Sequence, residues 1–228
     1  MPAITAASLG TDQDETDASS YAINITPSAN KLILAMILTN QNSSLNTPTA
    51  SGNGLTWVEV ATTTDGDSRN RLTMFRAMGA SPTSGLLTFD FAGNTQSREV
   101  ISVVEFTGMD TTGTNGSGAV VQSATNGATT GTSLTVTLSA FADATNATFG
   151  VLMVNDNPAT TITEGTGFTE VNENKLNEIW AIHTEFKDTN DTTVDWTWTG
   201  GGFNQGIAVE IKAAAAVGHN FQTLLGVR

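Results

Sequence analysis

The stretch Lys31-Leu-Ile-Leu-Ala-Met-Ile-Leu-Thr39 contains seven consecutive apolar residues. It is far too short to span a bilayer as a helix, and its uninterrupted apolar character is typical of a β-strand that is buried on both faces. A second run, Phe149–Val154, has the same character. Both runs predict strands that lie deep inside a β-rich core.

Elsewhere along the chain, apolar residues alternate with polar ones, as in strands that bury a single face. The alternating sets are Leu134, Val136 and Leu138; Val194, Trp196 and Trp198; and Ile207, Val209 and Ile211. We expect Trp196 and Trp198 to lie in the core, because they share a face with Val194. No segment of twelve or more residues has a convincing helical period, and Ser139–Ala147 is the one stretch that could form one or two helical turns.

Composition supports the same fold class. The chain of 228 residues has 39 threonines and no cysteine, and its short apolar runs are separated by Gly, Asn, Asp and Ser. Threonine favours pleated, half-buried surface over long helices. About twelve short strands in one open sheet would leave long edges exposed. The sequence therefore predicts an all-β protein, an antiparallel two-sheet jelly-roll-like sandwich with extended N- and C-terminal segments.

The predicted organisation has three parts: a polar leader at residues 1–20, one β-sandwich domain at 21–212, and a C-terminal arm at 213–228. No linker divides the sandwich. The arm is too apolar for a free end in solvent, and two interpretations stay open: it folds back on its own sandwich, or it docks on a neighbouring subunit. The predicted interface residues of the arm are Val217, Phe221, Leu224, Leu225 and Val227.

Charge limits the classes of partner. The formal net charge is −13, from nine Lys and Arg against 22 Asp and Glu. Nucleic acid and anionic membrane surfaces are therefore not expected as partners, because both require a basic surface. The N-terminal residues lack the basic and apolar regions of a signal peptide, which predicts synthesis in a cytoplasm.

No residue pattern predicts catalysis, and we expect a protein that is not an enzyme. The two histidines are His183 and His219, and no G-x-S-x-G motif is present. Strand alternation places His183 on the face of Ala181 and Glu185, where we expect a partly exposed residue. A glycan hydrolase or esterase that uses His183 or a carboxylate pair is the enzymatic alternative.

No cofactor is expected, and zinc is disfavoured by the absence of cysteine and of an H-E-x-x-H motif. Bound calcium is the alternative, because carboxylate oxygens are its preferred ligands. Three groups could supply them: Asp12, Asp14, Glu15 and Asp17; Asp65 and Asp67; and Asp188, Asn190 and Asp191.

One aromatic residue is a candidate for glycan contact. Trp180 shares the strand face of Glu178 and is better placed for exposure than the other tryptophans. Exposed tryptophans stack on sugar rings, so Trp180 is the predicted contact of a glycan-binding module.

Four segments, in order, carry a family resemblance: Gly54-Leu-Thr-Trp57, Arg71-Leu-Thr-Met-Phe-Arg-Ala77, Val103-Val-Glu-Phe-Thr-Gly-Met-Asp110 and Gly206-Ile-Ala-Val-Glu-Ile-Lys212. With them, residues 20–212 resemble β-sandwich structural proteins of tailed bacteriophages, which are capsid decoration (cement) or tail-associated proteins. The resemblance implies a virion location, a homo-oligomer, often a trimer, and a partner such as the major capsid protein or another virion protein. It implies no catalytic residues. A tail or fibre adhesin that binds host surface glycan is the alternative.

Overall fold

The computed structural model describes residues 3–41, 45–65, 68–128, 130–155, 161–177 and 179–215. These residues form sixteen β-strands and no helix. The strands are β1 (Thr5–Asp14), β2 (Ser20–Ile25), β3 (Leu32–Asn40), β4 (Thr49–Gly52), β5 (Val58–Thr64), β6 (Asn70–Ala77), β7 (Gly85–Asp90), β8 (Arg98–Thr107), β9 (Val120–Ala128), β10 (Ser133–Thr137), β11 (Ala147–Asn155), β12 (Ile162–Thr163), β13 (Thr169–Leu176), β14 (Trp180–Lys187), β15 (Thr193–Trp198) and β16 (Phe203–Ile211).

The same strand order occurs twice. In the first half, β1–β8, a five-stranded sheet has the order β1-β8-β3-β6-β5 and a three-stranded sheet has the order β2-β7-β4. In the second half, β9–β16, the orders are β9-β16-β11-β14-β13 and β10-β15-β12, which become the first two when eight is subtracted from each number. All strand pairs are antiparallel. Each half is thus a jelly-roll-like sandwich of two sheets, and the predicted all-β antiparallel class is confirmed.

The two halves also agree in detail. The pairing of β5 with β6 is interrupted by a bulge between Glu59 and Ala61, and the pairing of β13 with β14 by a bulge between Glu170 and Asn172. Bulges are specific features of a strand pair and not random defects. Their shared position therefore makes Glu59 and Glu170 structurally equivalent and points to an internal duplication.

The four sheets stack in four layers. The two five-stranded sheets face each other in the middle and enclose a central core, to which β3, β6 and β8 contribute from one side and β11, β14 and β16 from the other. Two outer cores separate each five-stranded sheet from its three-stranded sheet. The edge strand β1 packs beside β13, and β5 beside β9. This arrangement is what an approximate two-fold axis between the halves produces.

Burial follows from the layering. Every residue of β3 is buried, and in β11 all residues before Asn155 are buried, because each strand has a core on both of its faces. The prediction for the two apolar runs is confirmed. Trp196 and Trp198 are also in the core, at 0% and 5% exposure. Opposite Trp196, β11 has Gly150, where a Cβ atom would lie 2.6 Å from the indole ring.

The structure differs from the sequence prediction in three places. Most of the predicted leader is strand, because Thr5–Asp14 pairs along β8 as a polar edge strand. The predicted two-sheet sandwich is present twice and gives four sheets in all, because the second half repeats the first. Ser139–Ala147 contains turns and the start of β11 but no helix. The predicted interface residues Val217, Phe221, Leu224, Leu225 and Val227 lie outside the described residues, as does His219.

Within the described part of the chain, no helix has the length and apolar character needed to cross a membrane.

Candidate functional site

A polar cleft of about 230 Å³ opens at one end of the central core, between the two halves. We call it the strand-end cleft, because most of its residues begin or end a strand of a five-stranded sheet. It is lined by Asn40, Asp65, Arg69, Asn70, Arg98, Asn155, Trp180 and Phe203. Trp180, predicted to contact a glycan, forms part of this wall and is partly buried.

The strand-end cleft is built from equivalent positions of the two halves. Asn40 at the end of β3 pairs with Asn70 and with Arg98. Asn155 at the end of β11 pairs in the same way with Trp180 and with Phe203. The duplication therefore brings six related strand ends together, and sequence divergence has made one side polar and the other aromatic.

A hydrogen-bond network fixes the polar side of the cleft. The Trp180 indole Nε1 donates to Asn70 Oδ1 at 3.2 Å, and Asn40 Nδ2 donates to the same oxygen at 2.9 Å. The Asn70 amide in turn donates to Asp65 Oδ2. The Asp65 carboxylate also accepts from the Arg69 backbone N–H at 3.0 Å. The indole ring is held in one orientation by this network.

The Arg98 guanidinium carbon lies 3.8 Å from the centre of the Trp180 ring, in a cation–π contact. Arg98 Nε is buried and has no hydrogen-bond partner among the described residues. The cavity brings together an aromatic side chain, amides and a guanidinium whose Nε has no hydrogen-bond partner among the described residues. Groups of these kinds bind polar ligands such as sugars.

A second polar cluster lies in the second half, on the face of β14 that looks toward the three-stranded sheet. We call it the His183 cluster: His183, Glu164, Glu170 and Glu173. His183 is fully buried, so the expected partial exposure is wrong, although the predicted shared face with Ala181 and Glu185 is correct. The alternation of β14 indicates the face, but not that neighbouring elements cover it.

The distances in the His183 cluster are long for hydrogen bonds. Nε2 of His183 lies 3.9 Å from Glu164 Oε1. Its Nδ1 lies 3.9 Å from Glu170 Oε2 and 3.5 Å from Glu173 Oε2. Neither ring nitrogen has a hydrogen-bond partner among the described residues.

Glu185 lies beside the cluster and is also fully buried. Burial is the main cause that raises the pKa of Glu185 to about 8, and the carboxylates of Asp195 and Glu164 raise it further. The Gly165 backbone N–H donates to Glu185 Oε2 at 3.0 Å and opposes this shift.

The carboxylates predicted as calcium ligands are placed differently. Asp12 and Asp14 lie along β1 opposite β8, where Asp14 pairs with Glu99. Asp191 forms an ion pair with Lys187 at 2.7 Å. Among the described residues, the one group of at least three metal-ligating side chains with donor atoms within 4.8 Å of each other is Glu164, Glu170 and His183. Asp67 lies outside the described residues.

The opposite end of the molecule holds both ends of the described chain. Met109 forms a β-bridge with Ala213. Next to this bridge, Lys212 forms a 2.7 Å ion pair with Asp110. The contact with Lys212 is the main cause that lowers the pKa of Asp110 to about 2. Two open grooves, each of about 380 Å³, flank Ala3 and Ile4 there. One of them is also lined by Ala213, close to the last described residue.

Comparison of the chain with protein-family models, with curated proteins and with solved structures gave no match. In the sequence, the internal duplication is visible as two similar segments, Val103-Val-Glu-Phe106 and Ala208-Val-Glu-Ile211. Recognising this duplication would have indicated that equivalent strand ends of the two halves lie close together.

Proposed function

We propose that the chain is a structural protein of a tailed-bacteriophage virion, a capsid cement or decoration protein that acts through oligomeric contacts, with a trimer as the favoured assembly. Two observations support the proposal. The sequence resembles such proteins over residues 20–212, and the jelly-roll strand order, here present twice, is one that viral capsid proteins use.

The observation that carries the proposal is at the end where the described chain terminates. Residues 213–215 leave the sandwich beside two grooves that are lined by the exposed Ala3 and by the buried Ile4. The thirteen residues that follow contain the five apolar side chains of the predicted arm. In our proposal, these residues occupy the grooves of a neighbouring copy, which would account for an apolar terminus on an otherwise acidic protein.

Truncation after Ala215 tests the proposal. The cut leaves the Met109–Ala213 bridge and the Lys212–Asp110 ion pair in place. Each apolar side chain that an interface buries contributes about 1.5–3 kcal/mol, so loss of five should weaken association by orders of magnitude. We expect the full chain to have three times the mass of 23.7 kDa by light scattering, and residues 1–215 to be a folded monomer.

A matched control alters apolar surface elsewhere. Leu86 and Val121 are the large apolar side chains that are most exposed among the described residues, at 55% and 50%. Leu86→Ser and Val121→Ser should leave the mass of the full chain unchanged. An unchanged mass after truncation would mean that the arm folds on its own sandwich, and would contradict docking on a neighbour.

The strand-end cleft favours a second candidate function, a tail or fibre adhesin that binds host surface glycan. The wall of the cleft has the aromatic and amide groups that commonly bind sugars, supplied by Trp180, Asn155 and Phe203. On a glycan array, we expect Trp180→Ala to abolish any binding and Leu86→Ala to leave it unchanged. A signal that survives Trp180→Ala would exclude the cleft as the glycan site.

A further inference from the structure

The His183 cluster contains groups that the fold itself does not require. Pairing in equivalent strands makes Thr62 and Thr73 of the first half the counterparts of Glu173 and His183. The two threonine hydroxyls form a 3.0 Å hydrogen bond that completes the same strand pair. One jelly roll therefore folds with a neutral hydroxyl pair where the other has an acid and an imidazole.

The cluster as described is electrostatically incomplete. Three carboxylates surround one imidazole, and Lys175, 2.9 Å from Glu173, is the one cation whose ion pair with the cluster is described. His183 is completely buried, and both of its ring nitrogens lack hydrogen-bond partners among the described residues. A buried polar group without a partner is costly, and an additional ligand in the cluster would remove that cost.

The distances define the kind of ligand. A separation of 3.5–3.9 Å between a ring nitrogen and a carboxylate oxygen is too long for a good hydrogen bond. Two ligands of one tetrahedral ion with bonds of about 2.1 Å are roughly 3.4 Å apart. Glu164, Glu170 and His183 each offer one donor atom, and all three atoms lie within 4.8 Å of each other. Small side-chain movements would close them around a metal ion.

We propose that Glu164, Glu170 and His183 form a binding site for a divalent transition-metal ion of the Zn²⁺ type. Imidazole nitrogen together with carboxylate oxygen suits Zn²⁺, whereas Ca²⁺ and Mg²⁺ prefer oxygen ligands alone. Nε2 of His183 is the metal-binding nitrogen and lies 3.9 Å from Glu164, whereas Glu170 lies 3.9 Å from Nδ1 and must move toward Nε2 to share the ion. Glu173 accepts the Nδ1 proton and orients the ring, as carboxylates behind metal-bound histidines do.

Calorimetric titration of the full chain with Zn²⁺ tests the site, with Co²⁺ absorption as a second readout of tetrahedral coordination. We expect one Zn²⁺ per chain, with no competition from millimolar Ca²⁺. Glu164→Gln and Glu170→Gln should each weaken the affinity by about tenfold or more. The double variant Glu173→Thr and His183→Thr copies the Thr62–Thr73 pair, so it should stay folded and lose the Zn²⁺ site.

The duplication provides the matched control. Glu59 is the exposed equivalent of Glu170 in the first half, so Glu59→Gln should leave Zn²⁺ affinity unchanged. Absence of Zn²⁺ binding by the full chain would overturn the proposal. Binding that Glu164→Gln and Glu170→Gln leave intact would overturn it as well, because the ion would then sit elsewhere, for example on His219.

Discussion

Replacing Phe106 with alanine should lower the free energy of unfolding by about 3–5 kcal/mol, the range measured for large aromatic deletions in protein cores. Phe106 is fully buried on β8 of the first half, yet its ring partners are in the second half. Its ring centre lies 5.2 Å from that of Phe149 and 5.9 Å from that of Phe186. The variant leaves a cavity that neither half can close alone.

Urea unfolding followed by tryptophan fluorescence and circular dichroism measures this effect. Leu86→Ala is the control, because Leu86 is more than half exposed and should cost no more than about 0.5 kcal/mol. Both probes should report the same lowered midpoint in Phe106→Ala. A loss of 1 kcal/mol or less would show that the two five-stranded sheets are not packed through this residue.

Replacing Glu99 with glutamine should stabilise the protein at neutral and alkaline pH. Glu99 is 1% exposed, and neither carboxylate oxygen has a hydrogen-bond partner among the described residues. Burial is the main cause that raises the pKa of Glu99 to about 9, and the carboxylates of Asp12 and Asp14 add to it. The carboxyl group of Glu99 therefore keeps its proton in the native state at neutral pH. In the unfolded chain the same group loses that proton above the ordinary glutamate pKa of about 4.3.

The sign of the pH dependence follows from this proton. Between about pH 4.5 and pH 9 the native state binds more protons than the unfolded state at Glu99, so its contribution to stability falls as pH rises. An isosteric amide removes the titration and keeps the shape. We expect Glu99→Gln to raise the free energy of unfolding by about 2–3 kcal/mol at pH 7, and to change it little at pH 4.

Urea titrations of both proteins at four pH values between 4 and 8.5 check the expectation. The measurement at pH 4 is the internal control, because there the carboxyl of Glu99 is largely protonated in both states. Stability curves of the two proteins that stay parallel across this range would show that Glu99 is ionised in the native protein.

Sequence patterns predicted the parts of the fold that local chemistry determines. β3 and β11 were predicted because a strand with a core on both faces must be apolar throughout. β1 was missed because an edge strand with one solvent-facing side can be polar, and Thr5–Asp14 has no apolar alternation. β12 was missed because two residues carry no period.

The duplication escaped prediction because equivalent positions carry different chemistry. Thr73 corresponds to His183, and Asn70 corresponds to Trp180, so identity between the halves is low even where register agrees. The strand-end cleft depends on the packing of the two halves against each other. Asn40 and Asn155 are far apart in sequence, and the packing of the two five-stranded sheets brings them together. In the His183 cluster, alternation indicated the shared face, but the partners Glu164, Glu170 and Glu173 come from neighbouring elements.

Differential scanning calorimetry of the whole chain is the most direct test of two jelly rolls that share one central core. The strand-end cleft and the two grooves beside Ala3 are lined by residues of both halves and therefore rest on that packing. We predict one unfolding transition whose calorimetric enthalpy equals its van't Hoff enthalpy. Two separate transitions, each with about half of the total enthalpy, would mean that the halves fold as independent units and would contradict the shared core.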